Sequence, residues 1–247
     1  GTKAGVLNEY GFPFFDEDRI FVFLPGGSSF VQCDKYGKRQ WIYESYCPVT
    51  AFSSSKSGTV AGFADGTLVS FSQDGSVDQK FQPGGSNFQI ILGAGISDDG
   101  SLIACVCGQK DQRFVVARKN GEHSKIIFHE YLEKGSTRQT LVKFNKAGDC
   151  VYYGFNGGLG VVDLQNLKSF ALPLEGNIVQ IEEDVSKDLT YVLSRLENHY
   201  TVTVVERFNQ SVASFGFNAS SSFIQVREGS LFVGRDNKIS KLTVARK

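Results

Sequence analysis

Turn signals recur along this chain at a fixed period, and that recurrence restricts its fold more than any other feature. One class runs Asp16–Asp18, Ser57-Gly58, Asp99-Gly100, Ala147-Gly148, Ser186–Asp188 and Glu228-Gly229. Consecutive members lie roughly 40 to 48 residues apart, which marks a repeated supersecondary unit. A second class keeps step with it: Gly26-Gly27, Asp65-Gly66, Lys110-Asp111, Gly157-Gly158, Glu197-Asn198 and Asp236-Asn237. A third follows: Tyr36-Gly37, Asp74-Gly75, Asn120-Gly121, Gln165-Asn166 and Asn209-Gln210. Three turns per repeat delimit four segments per repeat.

Those segments read as strands. RIFVFLPGG, TVAGFADG, TLVSFSQDG and YTVTVVERFNQ are short, β-branched or aromatic, and closed by Gly, Asn, Asp or Ser, the pattern of strands joined by tight turns. The nearest approach to a helix is HSKIIFHEYLEKG, where Ile126, Ile127 and Phe128 are consecutive and fit a strand as well. An all-β chain of repeated four-stranded units is a β-propeller. The sustained turn pattern argues against a pair of β-sandwiches or an open sheet. The count is six blades in a single domain over residues 1–247, with five or seven left open by the long unit near residues 85–135. The third turn class has one member fewer, and the chain stops after KISKLTVARK. Residues around Ala4–Tyr10 are therefore expected to supply the missing outer strand of the last blade, which removes an exposed edge.

Within this frame one stretch carries a family resemblance. Asp34-Lys-Tyr-Gly37-Lys38-Arg-Gln-Trp41 resembles the end of a PQQ-like (quinoprotein-type) propeller repeat: Asp, two residues, Gly-Lys, two residues, Trp. ADGTLVSFSQDG and ISDDGSLIACVCG resemble the Asp-Gly strand openings shared by PQQ-like and WD-repeat-like blades. Trp41 is the only Trp, and the Trp-Asp and Gly-His pairs of WD repeats are missing. The resemblance implies the propeller superfamily and is a statement about fold.

Charge bounds the partners. The 26 basic and 26 acidic residues cancel without a long run of either sign, whereas a surface that tracks phosphates needs a clustered basic excess. Nucleic acid is therefore not an expected partner. No apolar stretch is long enough to span a bilayer as a helix. Cysteines fall at 33, 47, 105, 107 and 150. Cys105 and Cys107 share one face of a strand, a poor geometry for a mutual disulfide and half of a metal site at best. They read as small buried hydrophobes, and a Cys33–Cys47 bridge stays open. The chain begins with Gly1 and holds no Met; the expectation is a processed or engineered start with a targeting signal removed upstream.

Each candidate for chemistry meets a plainer reading. GFNGGLG, residues 154–160, lacks the Lys-Ser/Thr and helix of a phosphate loop and reads as a hairpin turn. The Pro-Gly-Gly-Ser stretches at 25–28 and 83–86 read as turns or blade linkers. The acidic groups Asp16-Glu17-Asp18, Asp98-Asp99 and Glu182-Glu183-Asp184 lack the spacing of a calcium loop, and most fall on turns. His123, His129 and His199 have no metal-ligand spacing, and no Gly-x-Ser-x-Gly elbow occurs. The segment GQKDQRFVVARKNGEHSK, with Lys110, Arg113, Arg118, Lys119 and Lys125, is a candidate anion- or partner-binding patch. No catalytic, cofactor-binding or metal-binding residue is assigned, and no cofactor is expected.

The reading that follows is a non-enzymatic, monomeric scaffold that binds a protein or peptide through a loop-lined face. Its expected setting is bacterial and extracytoplasmic, periplasmic or anchored as a lipoprotein, with the cytoplasm as the alternative. The alternative function is a propeller enzyme, a lyase, hydrolase or quinone-dependent dehydrogenase, with its active site at the mouth of a central channel.

Overall fold

The computed structural model describes residues 5–16, 19–121 and 123–243. Twenty-three strands and no helix occur among them. Sheet one holds β1 (Phe12–Asp16), β2 (Arg19–Phe23), β3 (Ser29–Cys33) and β4 (Arg39–Glu44). Sheet two holds β5 (Val49–Ser54), β6 (Gly58–Phe63), β7 (Leu68–Ser72) and β8 (Val77–Phe81). Sheet three holds β9 (Ile91–Ile96), β10 (Leu102–Cys107), β11 (Arg113–Asn120) and β12 (His123–Tyr131). Sheet four holds β13 (Val142–Phe144), β14 (Cys150–Phe155), β15 (Gly158–Asp163) and β16 (Lys168–Pro173). Sheet five holds β17 (Asn177–Asp184), β18 (Leu189–Leu196), β19 (His199–Glu206) and β20 (Gln210–Asn218). Sheet six holds β21 (Ser222–Arg227), β22 (Ser230–Arg235) and β23 (Lys238–Leu242). Within each sheet, strands consecutive in the chain lie side by side, and the chain forms two compact units, Gly1–Val142 and Lys143–Lys247.

The turns explain the repeat. Asp65 Oδ1 accepts the Thr67 N–H at 2.9 Å, and Asp74 Oδ1 accepts the Ser76 N–H at 3.0 Å. In each case a glycine follows the aspartate in the left-handed region, Gly66 at φ 81° and Gly75 at φ 85°. Short acidic side chains that bond their own backbone two residues on, next to a residue free of a Cβ, favour this geometry over any extended one. The members of the three turn classes among the described residues fall at the connections between the strands they were expected to join, with Asp16, Gly58, Asn120, Gly158 and Gln210 as terminal residues of those strands; Glu17 and Asp18 lie outside the described residues. The stretch HSKIIFHEY is strand β12.

In the first unit an aromatic core fills the space between sheets one and two, with Phe21, Phe30, Phe63 and Phe71 fully buried. Here the PQQ-like stretch has a structural job at each marked position. Asp34 Oδ1 accepts the N–H groups of Tyr36 and Lys38, both at 2.9 Å, and Gly37 takes φ 88°. Trp41 stacks on Phe71 at a centroid distance of 5.8 Å, and its indole N–H donates to the Gln73 carbonyl at 3.1 Å. Gly75 is needed twice, for its φ and because a Cβ there would stand 2.4 Å from the Trp41 ring. In the second unit Leu193, Val202 and Ile224 lead the core between sheets five and six.

The closing strand expected from Ala4–Tyr10 is not among the strands described. Gly5–Tyr10 has no strand assignment, and its contacts are within sheet one. The Val6 N–H donates to Tyr36 O at 3.3 Å, Leu7 packs against Val22 and Val31, and Glu9 pairs with Arg39 at 2.6 Å. Sheet six keeps three strands among the described residues. Ala4 lies outside them.

Candidate functional site

The strand registers gather the connections of the first unit into one continuous loop surface. Ile91 pairs with Cys107 and Arg113 with Tyr131, so the start of β9, the β10–β11 turn and the end of β12 share one end of sheet three. Ser29 pairs with Glu44, and Val49 with Phe63, which fixes the matching ends of sheets one and two. Hydrogen bonds join these ends in series. Val49 N–H donates to Gly27 O at 2.8 Å, and Ala64 N–H to Pro48 O at 3.0 Å. The Gln82 amide donates to Asp65 O at 3.3 Å, Gln109 N–H to Phe88 O at 3.1 Å, and Leu132 N–H to Gln112 O at 2.8 Å.

Two connections on this end are long. Residues 82–90 and 132–141 join sheet two to three and sheet three to four, against 45–48, 174–176 and 219–221 for the other links between sheets. Long connections without secondary structure of their own are where function concentrates. Both are fastened by adjacent residues at the mouth of β11. The Arg113 guanidinium donates through Nε to Gly84 O at 3.0 Å and through Nη2 to Pro83 O. It lies flat against Gly85, where a Cβ would meet Cζ at 2.4 Å. Gln112, 2% exposed, turns the other way, as neighbours in an extended chain do. Its amide donates to Gly108 O at 2.7 Å and Ser136 O at 2.9 Å, while its Oε1 accepts the Ser136 N–H at 2.7 Å.

What this held surface presents includes several exposed aromatic rings. Tyr46 is fully exposed, Phe88 is 59% exposed and Tyr131 60%. Tyr10 and Phe12 add two more exposed rings beside the β2–β3 turn. The loops around them are rich in Ser, Gly, Asn and Gln, a mixture in which rigid amphipathic rings supply contact area and small polar groups adapt. Asp65 interacts with Cys47, the residue after Tyr46. Burial pushes the Asp65 pKa up, but bonds from Thr67 and the Cys47 thiol more than offset this, so the carboxyl sits below its ordinary value. Burial and the Asp65 charge push the Cys47 thiol up.

The basic segment proposed from sequence does not form one patch. Lys110 and Arg113 stand at the loop end, while Arg118, Lys119 and Lys125 stand towards the far end of β11 and β12, about 17–20 Å along the strand from Arg113. Arg113 is engaged by Pro83 and Gly84, and Lys119 pairs with Asp78. GFNGGLG is the β14–β15 turn, and Pro25–Ser28 and Pro83–Ser86 are a turn and a link between sheets. All five cysteines are free thiols. Cys107 lies beneath the 82–90 loop, its sulfur 3.8 Å from Gly84 O. Cys105, on the same face, donates to it and with Arg113 holds the Cys107 thiol below its ordinary value against the effect of burial, while Cys105 itself is raised. No group of three or more His, Cys, Asp or Glu side chains placed to hold a metal occurs among the described residues.

Comparison with known proteins places this architecture. A family model described as "beta-propeller protein" matches residues 1–247. A protein of Treponema pallidum (strain Nichols), whose name assigns no activity, is 34% identical over 245 residues. The match covers 99% of this chain and 65% of that relative, so the chain spans about two thirds of the relative's length. Among solved structures, the Cps50 (Swd1) β-propeller domain of Myceliophteria thermophila superposes with a TM-score of 0.64 at 10% identity, covering 98% of this chain and 86% of that one. BamB from Moraxella catarrhalis superposes with a TM-score of 0.53 at 9% identity, covering 93% and 80%. At these identities the two likenesses concern the fold alone.

Proposed function

The chain belongs to the β-propeller family, and from that premise we propose that it is a non-enzymatic scaffold whose loop end in the first unit docks a protein or peptide partner. One observation carries the reading: the two long inter-sheet loops are pinned by Gln112 and Arg113 and, with the 45–48 link, present Tyr46, Phe88 and Tyr131 outward. Pinning matters because a pre-ordered loop loses less entropy on binding. Exposed aromatic anchors are the residues that dominate interface energies, at about 2 kcal/mol or more each where they become buried.

The proposed setting is extracytoplasmic. The PQQ-like stretch at 34–41 and the fold likeness to BamB support it. Monomeric behaviour and a single domain over 1–247 belong to the same proposal. The test is co-purification from native membranes of the bacterium after mild cross-linking, with wild type beside a Tyr46→Ala, Phe88→Ala, Tyr131→Ala triple variant. A partner retained by wild type and lost from the folded variant is the expected result. A partner retained equally by both would remove this surface from the account.

A further inference from the structure

Sheet six offers an edge that the other five sheets cover. In sheets one to five the third strand is flanked on both sides, and much of it is buried: β15 throughout, and β7 at every residue but Ser72. The corresponding strand of sheet six, β23, is exposed at Lys238, Ile239, Ser240 and Lys241. Its outer backbone is unpaired among the described residues.

The direction of that unpaired backbone follows from the ladder. Asp236 N–H donates to Ser221 O at 3.0 Å, towards β21. Successive groups alternate in direction along a strand, so the Arg235 N–H faces β23 and the Arg235–Lys238 pair is the hydrogen-bonded one. Ser240 and Leu242 then face β22, and the N–H and C=O groups of Ile239 and Lys241 point outward. Around them lies a surface of mixed character. Ile239 is 68% exposed and Phe223 46%, and they share a row across Gly234. Lys238 and Lys241 make no ion pair among the described residues. Lys241 instead lies 5.7 Å from the Phe232 ring centroid, and Arg235 lies 5.9 Å from that of Phe217.

We propose that β23 is a docking edge for an extended, acidic-apolar segment of a partner protein, which adds antiparallel to it as the fourth strand of sheet six. The charge and side-chain order of β23 set the recognition rule. Against Leu242, Lys241, Ser240, Ile239 and Lys238 in turn, the incoming strand reads apolar, acidic, small, apolar, acidic. Its carboxylates meet the two unpaired ammonium groups, and its apolar side chains extend the Leu242 and Ile239 rows. Main-chain bonds at Ile239 and Lys241 supply affinity, and the cross-strand pairs supply selectivity. A second copy of this chain is a poor occupant, because two β23 strands side by side bring four lysines and no carboxylate to one ladder; edge lysines oppose such self-pairing. The Gly5–Tyr10 segment is not free for the position either, since Val6, Leu7 and Glu9 are engaged in sheet one.

The test uses the whole chain and a capped peptide, Thr-Val-Glu-Thr-Val-Glu-Thr, with a control carrying Lys in place of both Glu residues. Binding is read by fluorescence anisotropy, and amide exchange at Ile239 and Lys241 by NMR. The Glu peptide is expected to bind saturably, to weaken as salt rises, and to slow exchange at those two amides by about tenfold or more. A Lys238→Glu, Lys241→Glu variant is expected to reverse the preference between the peptides while keeping the folded spectrum. Three results would overturn the proposal. They are no binding of the Glu peptide, equal binding of both peptides, and slow exchange of Ile239 and Lys241 already present in the free protein. In the last case, protection that depends on concentration would identify a second copy as the cover, and protection that does not would identify the protein's own chain. None of these results bears on the loop end of the first unit.

Discussion

Replacing Arg113 by alanine should release the 82–90 loop while leaving the sheets intact. The guanidinium makes hydrogen bonds to Pro83 O and Gly84 O, and bonds of this charge-assisted kind are worth about 1.5–3 kcal/mol each. The site is only partly buried, and water can replace part of what is lost, so a loosening of about 2 kcal/mol is the expected net effect. That corresponds to a rise of roughly thirtyfold in the open population of the loop. The amides to watch are Gly108 and Gln109, which donate to Ile90 O at 2.8 Å and Phe88 O at 3.1 Å across the loop. Their hydrogen exchange should accelerate by about that factor, while amides of β14 to β16 in the second unit keep their rates. Arg113→Lys should fall between, because an ammonium cannot fork across two carbonyls in the guanidinium's planar geometry. Unchanged exchange at Gly108 and Gln109 would show that Arg113 does not hold the loop. Uniform acceleration through both units would show that its role is global stability.

Three further outcomes follow from individual sites. Gly75→Ala forces a side chain into φ 85° and against the Trp41 ring, so urea denaturation should show a loss of about 2–4 kcal/mol. Gly26→Ala, at φ 95° with open space around it, should lose only about 1 kcal/mol; equal losses would refute the steric account. Tyr191→Phe should be neutral or stabilising by up to about 1 kcal/mol, since the buried hydroxyl has no hydrogen-bond partner among the described residues. A clear loss of stability would count against this reading. Asp99 accepts bonds from Ser97 Oγ at 2.6 Å and Ser101 N–H at 3.0 Å, which hold its carboxyl below the ordinary range. Its folded value therefore lies below its unfolded value of about 3.9. Its contribution is complete above that pH and fades as the pH falls through the folded value. The stability gap between wild type and Asp99→Asn should accordingly shrink between about pH 6 and pH 2, and a gap independent of pH would remove the linkage.

The fold was legible because its signals are local. Asp65-Gly66 and Asp74-Gly75 set their turns through bonds two residues long, and a short β-branched and aromatic run marked the strand between them. Trp41 was legible in kind but not in place: a sequence motif cannot show that its indole packs on Phe71 and forbids a side chain at residue 75. The loop surface was the harder case. Pro83–Ser86 read correctly as a link, yet its binding to Arg113 depends on a register that brings residues about thirty positions apart together. The same register divided the basic segment, whose cations look adjacent in sequence but stand at opposite ends of β11 and β12. The excess length of 82–90 and 132–141 between strand-like runs was the signal available for this site. The expected closing strand illustrates the opposite limit. KAGVLNEYGF has suitable composition for a strand, but the contacts of Val6, Leu7 and Glu9 with sheet one decide where its described part lies.

The central claim is that the loop end of the first unit is the surface that meets a partner. Its most direct test is a photo-reactive benzophenone side chain introduced singly at Tyr46, Phe88 or Tyr131, and at Tyr36 and Lys125 on the opposite end, followed by irradiation in living cells. The account predicts one common cross-linked protein from the first three positions and none from the last two. Cross-links of equal yield from both ends, or from Tyr36 and Lys125 alone, would contradict it.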